Sequence, residues 1–103
     1  MVYDLRFLPN PFFIPSLKIK NGTDKEIHDF LFAQEDVQFY WNKLKDFLLY
    51  SLQKSYEEGR FFATVAIGCT GGKHRSVCFV EKIAQQTWPH IEFITHHRDI
   101  TKE

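Results

Sequence analysis

The chain reads as a small α/β domain: an open, mainly parallel sheet with flanking helices, in the order strand, helix, helix, strand, helix, strand. Three observations predict it. Residues 2–7 alternate between apolar and polar, and residues from Glu35 onward carry a long helical repeat. An uncharged run at 61–67 then enters a glycine-rich turn, after which a second helical repeat begins. Strands separated by helices pair in parallel through right-handed crossovers, so their carboxyl ends share one edge of the sheet.

In the first strand Tyr3, Leu5 and Phe7 take one face, Asp4 and Arg6 the other. A fold that starts at residue 2 has almost no lead-in, which predicts a single domain over 1–103 excised from a longer protein. Pro9, Pro11 and Pro15 then predict an extended loop without helix. Within it Asn10 is a turn-former or a polar group at the sheet edge. Asn21-Gly22 marks a turn, and Thr23 with Glu26 has the spacing of a capping box before Ile27, Phe30 and Leu31. Glu35-Asp36 supplies the acidic start that a helix dipole favours. Apolar residues recur every three or four positions from Val37 through Trp41, Phe47 and Leu52 to Tyr56, with Gly59 as the stop. That aromatic stripe reads as core. After the glycine turn, Val77, Val80, Ile83 and Ala84 share a helical face, Pro89 ends it, and residues 91–95 read as a third strand before His96, His97 and Arg98.

With 103 residues, 44% hydrophobic and 17% aromatic, the chain is long enough for one real core, and its eleven phenylalanines are expected to fill much of it. Thirteen basic residues balance thirteen acidic ones, so no global field draws in nucleic acid. Two cysteines, Cys69 and Cys78, are too few for a disulfide framework and read as free thiols in a reducing compartment. No leader-like start and no apolar run of membrane-spanning length is present, so the expectation is a soluble, cytoplasmic protein without membrane partners.

The stretch Ala66-Ile67-Gly68-Cys69-Thr70-Gly71-Gly72-Lys73-His74-Arg75-Ser76-Val77 carries the chemistry. Unpaired amides at a helix start point outward, glycines permit close approach, and Lys73, His74 and Arg75 add charge, which together suit an anion. In open parallel sheets ligands sit beyond the strand ends. Asn10, the glycine loop and the 96–98 segment should therefore meet there, with Asp4 and Arg6 on the border.

Other chemistries can be weighed on spacing. A nucleotide P-loop needs glycine, four residues, then Gly-Lys-Ser/Thr. Here Gly72-Lys73 precedes His74 and Gly68 lies one residue too close, so the spacing argues against nucleotide hydrolysis. Cys69, five residues, Arg75 and Ser76 reproduce the spacing of tyrosine-phosphatase-like enzymes, in which a thiolate attacks phosphorus and arginine clamps its oxygens. Against that alternative, Gly68 replaces the usual preceding histidine, and Trp88-Pro89-His90 has histidine where the general-acid aspartate belongs. A metal site at His74, His96 and His97 lacks ligand spacing.

Three further blocks join the loop: Asp4-Leu5-Arg6-Phe7-Leu8-Pro9-Asn10-Pro11, Gly22-Thr23-Asp24-Lys25 and His97-Arg98-Asp99. Together they resemble the carboxy-terminal domain of the RapZ family over nearly the whole chain. The resemblance implies a fold similar to part of phosphofructokinase. It also implies a preceding P-loop domain that alone takes ATP or GTP, leaving this domain without a cofactor. In the best-understood branch the protein is a homo-tetrameric adaptor that presents a small regulatory RNA to an endoribonuclease and senses glucosamine-6-phosphate through this domain. By resemblance, phosphate contacts fall on Thr70, Gly71, Gly72, Lys73, His74 and Arg75, with Asp4 facing the sugar's ammonium. Lys73, Arg75, Lys82 and Arg98 are the cations available to RNA. Two departures stand out: Phe12 replaces a histidine after the Pro-Asn-Pro block, and the chain ends Thr101-Lys102-Glu103 without a basic tail. Several copies acting together would therefore be needed to hold RNA.

Overall fold

Two short strands lie side by side in the computed structural model, which describes residues 1–60, 62–70, 72–88 and 90–98. Strand β1 (Val2–Asp4) pairs in parallel with β2 (Ala66–Gly68), setting Val2 against Ala66, Tyr3 against Ile67 and Asp4 against Gly68. Main-chain bonds extend the pairing by a residue each way: Ala66 N–H donates to the Met1 carbonyl and Leu5 N–H to that of Gly68, both at 2.8 Å. Parallel strands need a long crossover. Helices α1 (Pro15–Lys18), α2 (Lys25–Phe32) and α3 (Glu35–Glu57) form it, and α4 (Arg75–Gln85) leaves the glycine turn. The small open α/β fold read from the sequence is the fold observed.

Its strands are shorter than the alternation suggests, for local reasons. Asp4 accepts the Arg6 N–H on its own carboxylate at 3.0 Å, and Leu8 N–H closes a turn onto the Leu5 carbonyl. The chain therefore bends after Asp4, burying Leu5 and Leu8 and leaving Phe7 exposed. Between Phe62 and Thr64 the second run is exposed, and only Ala66–Gly68 joins the ladder, so β2 is not covered on both faces as expected.

The prolines do not forbid helix here. Pro11 opens a 3₁₀ turn (Pro11–Phe13) and Pro15 opens α1, each at a first position whose N–H would have no partner anyway. The capping box does not form either. Asp24 is the N-cap residue of α2, and Thr23 donates both its N–H and its hydroxyl to the Asn21 side-chain oxygen, at 2.8 and 2.6 Å.

The core lies between α2, α3 and α4. Ile27 and Leu31 meet Val37, Trp41, Leu44, Leu48 and Leu52, with Phe79 and Ile83 closing the layer. Phe79 stacks on Phe32 and receives the Trp41 edge at 5.8 Å between centroids. Phenylalanine contributes less than its abundance suggested, because Phe7, Phe12, Phe13, Phe39, Phe47 and Phe62 are exposed. Phe47 and Tyr56, read as part of the core stripe of α3, face outward as well.

The third strand is not formed: residues 91–97 run without strand structure. Phe93 packs edge-on against Trp88, and His97 Nε2 meets Glu81 Oε1 at 2.6 Å. These ties hold the segment to α4 and the turn beyond it. An open crevice of about 1080 Å³ lies between that segment and the two strands.

Candidate functional site

The site begins with the strand ends. Because β1 and β2 are parallel and in register, Asp4 sits directly against Gly68, the first residue of the glycine loop. Its carboxylate takes the Arg6 guanidinium in a two-pronged ion pair, Nε and Nη2 at 2.9 and 2.7 Å from Oδ2. The Arg6 side chain, then the Arg6 N–H, hold the Asp4 carboxyl below its ordinary value, so it stays ionised. Asp4, Arg6, Gly68, Cys69, Gly72 and Ser76 all border the crevice, as do His96, His97 and Arg98 from the opposite wall. The glycine loop and the 96–98 segment thus border the same crevice. Asn10 takes no part in it; its side chain accepts the Phe12 N–H at 3.1 Å and caps the 3₁₀ turn.

Along the loop, Thr70 is exposed and Gly71 lies outside the described residues. Gly72 has φ of 63°, a left-handed conformation that glycine adopts without strain. The three cations that follow diverge. Lys73 reaches away from the crevice to the Lys18 carbonyl at 3.4 Å. His74 is buried, and that burial lowers its pKa, opposed in part by main-chain hydrogen bonding to Lys20, Lys18 and Leu17. Arg75 is only 2% exposed, and its Nη1 donates to the carbonyls of Leu5, Arg6 and Leu8 at 3.2, 2.9 and 2.9 Å. Arg75 therefore staples the turn after β1 to the first residue of α4. Arg75 Nε and His74 Nε2 are buried with no hydrogen-bond partner among the described residues.

Cys69 joins loop to helix. Its sulfur accepts the Ser76 N–H at 3.3 Å and lies at the same distance from the Ser76 hydroxyl. Cys78, two residues beyond Ser76 in α4, is buried, and burial pushes its thiol up to about 12. Lys82, a candidate RNA cation, instead sits 4.4 Å over the Phe32 ring and 5.4 Å from that of Trp41. Among the described residues no three of His, Cys, Asp and Glu are grouped to hold a metal. Nor is any described helix long and apolar enough to cross a membrane.

Gly22 is a residue the sequence signalled only as a turn. Its N–H donates to the Lys73 carbonyl at 2.8 Å, and a Cβ there would fall 2.3 Å from Cys78 N and 2.5 Å from the His74 carbonyl oxygen. The Asn21-Gly22 turn is pressed against the first turn of α4, which is how the loop and the helix start keep their positions. The Glu81–His97 pair was likewise missed, since nothing in the spacing links the two.

A parallel strand pair feeding a glycine turn and a helix start, with an ionised carboxylate beside the first residue of that turn, defines a small α/β domain with a glycine loop at its sheet edge. The family model of the RapZ C-terminal domain matches residues 1–101, and the chain belongs to that family. It is similar to a nucleotide-binding protein of Thermodesulfovibrio yellowstonii, 49% identical over 82% of this chain and 30% of the relative. Nucleotide-binding proteins of Anaeromyxobacter sp. and Lacticaseibacillus casei are each 42% identical, over 100% and 99% of this chain and 35% of their own length. The chain thus spans about a third of the length of these relatives. Family membership makes it a regulatory-class domain of RapZ-like proteins.

Proposed function

We propose that this chain is a non-catalytic sensor for a phosphorylated metabolite of the glucosamine-6-phosphate class, bound where the 68–76 loop meets the strand ends. The observation that carries the reading is the register of Asp4 against Gly68. An amino-sugar phosphate needs a carboxylate for its ammonium and amides or cations for its phosphate, and the two lie on either side of that register. Arg75 Nε and His74 Nε2, buried at the start of α4 without a hydrogen-bond partner among the described residues, support an oxyanion there. Thr70 and Gly72 complete the phosphate side on the loop, and Lys73 joins them only by leaving the Lys18 carbonyl.

No catalytic residue is assigned. Arg75 commits Nη1 to three carbonyls, which removes that nitrogen from the clamping role a Cys69-dependent phosphatase would ask of it. The domain works without a cofactor in this reading, in the cytoplasm, where Cys69 and Cys78 stay reduced. Its output passes to a partner, a small regulatory RNA or an endoribonuclease, through several copies. The cations proposed for a polyanion, Lys73, Arg75, Lys82 and Arg98, are too few in one copy to hold RNA.

Titration calorimetry with glucosamine-6-phosphate tests the proposal, with glucosamine and inorganic phosphate as controls. Saturable binding that weakens in Lys73→Ala and in Asp4→Asn is expected. No heat at millimolar ligand would sink the metabolite reading.

A further inference from the structure

We infer that residues 91–95 are a strap with two positions: the open one observed, and a closed one in which they join the free edge of β2 as a third parallel strand. The pairing itself does not rest on the metabolite reading; its response to a ligand does. Strand β2 is bonded on one side. Ala66 N–H donates to the Met1 carbonyl and the Gly68 carbonyl accepts Leu5 N–H, so Ala66 and Gly68 turn their main chain toward β1. In a parallel ladder alternate residues point to opposite sides, which turns the N–H and C=O groups of Val65, Ile67 and Cys69 away from β1. Among the described residues no main-chain hydrogen bond reaches these three. An open edge of this kind is a template for one more strand.

The other wall of the crevice identifies the occupant, since residues 65–69 and 91–98 both border that space. Ile91, Phe93 and His97 are half-buried while Glu92, Ile94 and His96 are exposed, the alternation of a strand. Ile91 and Phe93 already pack against the same core as Val65, Ile67 and Cys69, so both runs turn their apolar side chains to one layer. The connection fits as well. Helix α4 shares its core with α2 and α3, and a right-handed crossover through it places the next strand beyond β2, on the side away from β1. Setting Val65 against Ile91 and Ile67 against Phe93 pairs apolar with apolar. In that register Ile67 N–H donates to the Glu92 carbonyl, and the Ile67 carbonyl accepts Ile94 N–H. The edge contact of Phe93 with Trp88, and His97 Nε2 at 2.6 Å from Glu81 Oε1 on α4, hold the strap open. Closing carries residues 96–98 to the carboxyl end of β2 beside the glycine loop, where the Arg98 charge favours an anion. An anion on the loop therefore binds the closed form better and shifts the population toward it.

Amide hydrogen exchange read by NMR on the full chain tests the strap. Without ligand, Ala66 and Gly68 should be protected by β1, while Ile67 and Ile94 exchange at least about tenfold faster. Glu81→Ala frees His97 from α4 and should raise protection at Ile67 and Ile94 about tenfold with no ligand added. Combining it with Ile94→Pro, at a fully exposed position, removes the N–H that the Ile67 carbonyl accepts and should cancel the gain at Ile67. Glucosamine-6-phosphate added to the wild type should reproduce the gain. Circular dichroism verifies that each variant folds. Equal protection of Ile67 and Ala66 in the ligand-free wild type would overturn the strap, as would no gain in Glu81→Ala. A gain in Glu81→Ala with no calorimetric heat from glucosamine-6-phosphate supports the strap and removes its ligand. Heat without protection at Ile67 would overturn the coupling.

Discussion

Arg75 Nη1 lies 2.9 Å from the carbonyl of Leu8, a residue 67 positions earlier in the chain. With the Leu5 and Arg6 carbonyls on the same nitrogen, the contact fastens the turn after β1 to the start of α4. It fixes the distance between the two walls of the proposed site, so its energetic weight can be read as stability. Arg75→Ala should cost about 3–5 kcal/mol, because a buried cation is replaced by a cavity and three carbonyls lose their donor. Urea denaturation checks this; a loss below about 1 kcal/mol, the level of an exposed pair, would deny the staple its role.

Gly22 makes a complementary case on the other side of α4. A Cβ placed 2.3 Å from Cys78 N meets backbone, which cannot swing aside as a side chain would. Gly22→Ala is expected to destabilise the chain by about 1–3 kcal/mol or more, as overpacking does. Thermal melting compared with Gly59→Ala separates space from strain, since Gly59 has φ of 79° but nothing within 4 Å of its Cβ position.

The two thiols should differ in reactivity. Cys78 is buried with its thiol pushed up to about 12, whereas Cys69 is partly accessible at the crevice. A thiol reagent at neutral pH should modify one cysteine per native chain and two after denaturation, and peptide mapping should place the native adduct on Cys69. Equal rates at both positions would mean that α4 does not bury Cys78.

His74 predicts a direction for acid sensitivity. Its folded pKa lies below the ordinary 6.5, so the unfolded chain takes up the proton first as pH falls. The neutral buried imidazole contributes full stability above pH 6.5, and that contribution is lost as pH falls from there through the folded pKa. His74→Gln should flatten the stability profile below neutrality. An unchanged slope would show that His74 is solvated.

What could be read from the sequence divides by range. The long repeat beginning at Glu35-Asp36 and closing at Gly59 names α3 because helix periodicity is local. Parallel pairing of the strands followed from helices lying between them, whereas the register that sets Asp4 beside Gly68 carries no sequence signal. The fate of Arg75 was not legible, since its acceptors are carbonyls of a turn far away in the chain, and carbonyls carry no residue-type signal. Ile94 illustrates another limit: an apolar residue in an extended run looked like strand, yet ties from Phe93 to Trp88 and from His97 to Glu81 hold that run off the sheet. Phe39 and Phe47 looked like core by composition, although the 100° step puts Phe39 opposite Trp41 and Leu44.

A site for an amino-sugar phosphate between Asp4 and the 68–76 loop is tested most directly by mapping backbone amide shifts while glucosamine-6-phosphate is added. The largest changes are predicted at Gly68, Gly72, Lys73 and Ser76 and at the strand end around Asp4, with the outer face of α3 unmoved. Changes that leave the loop untouched, or none at all at saturating ligand, would contradict it.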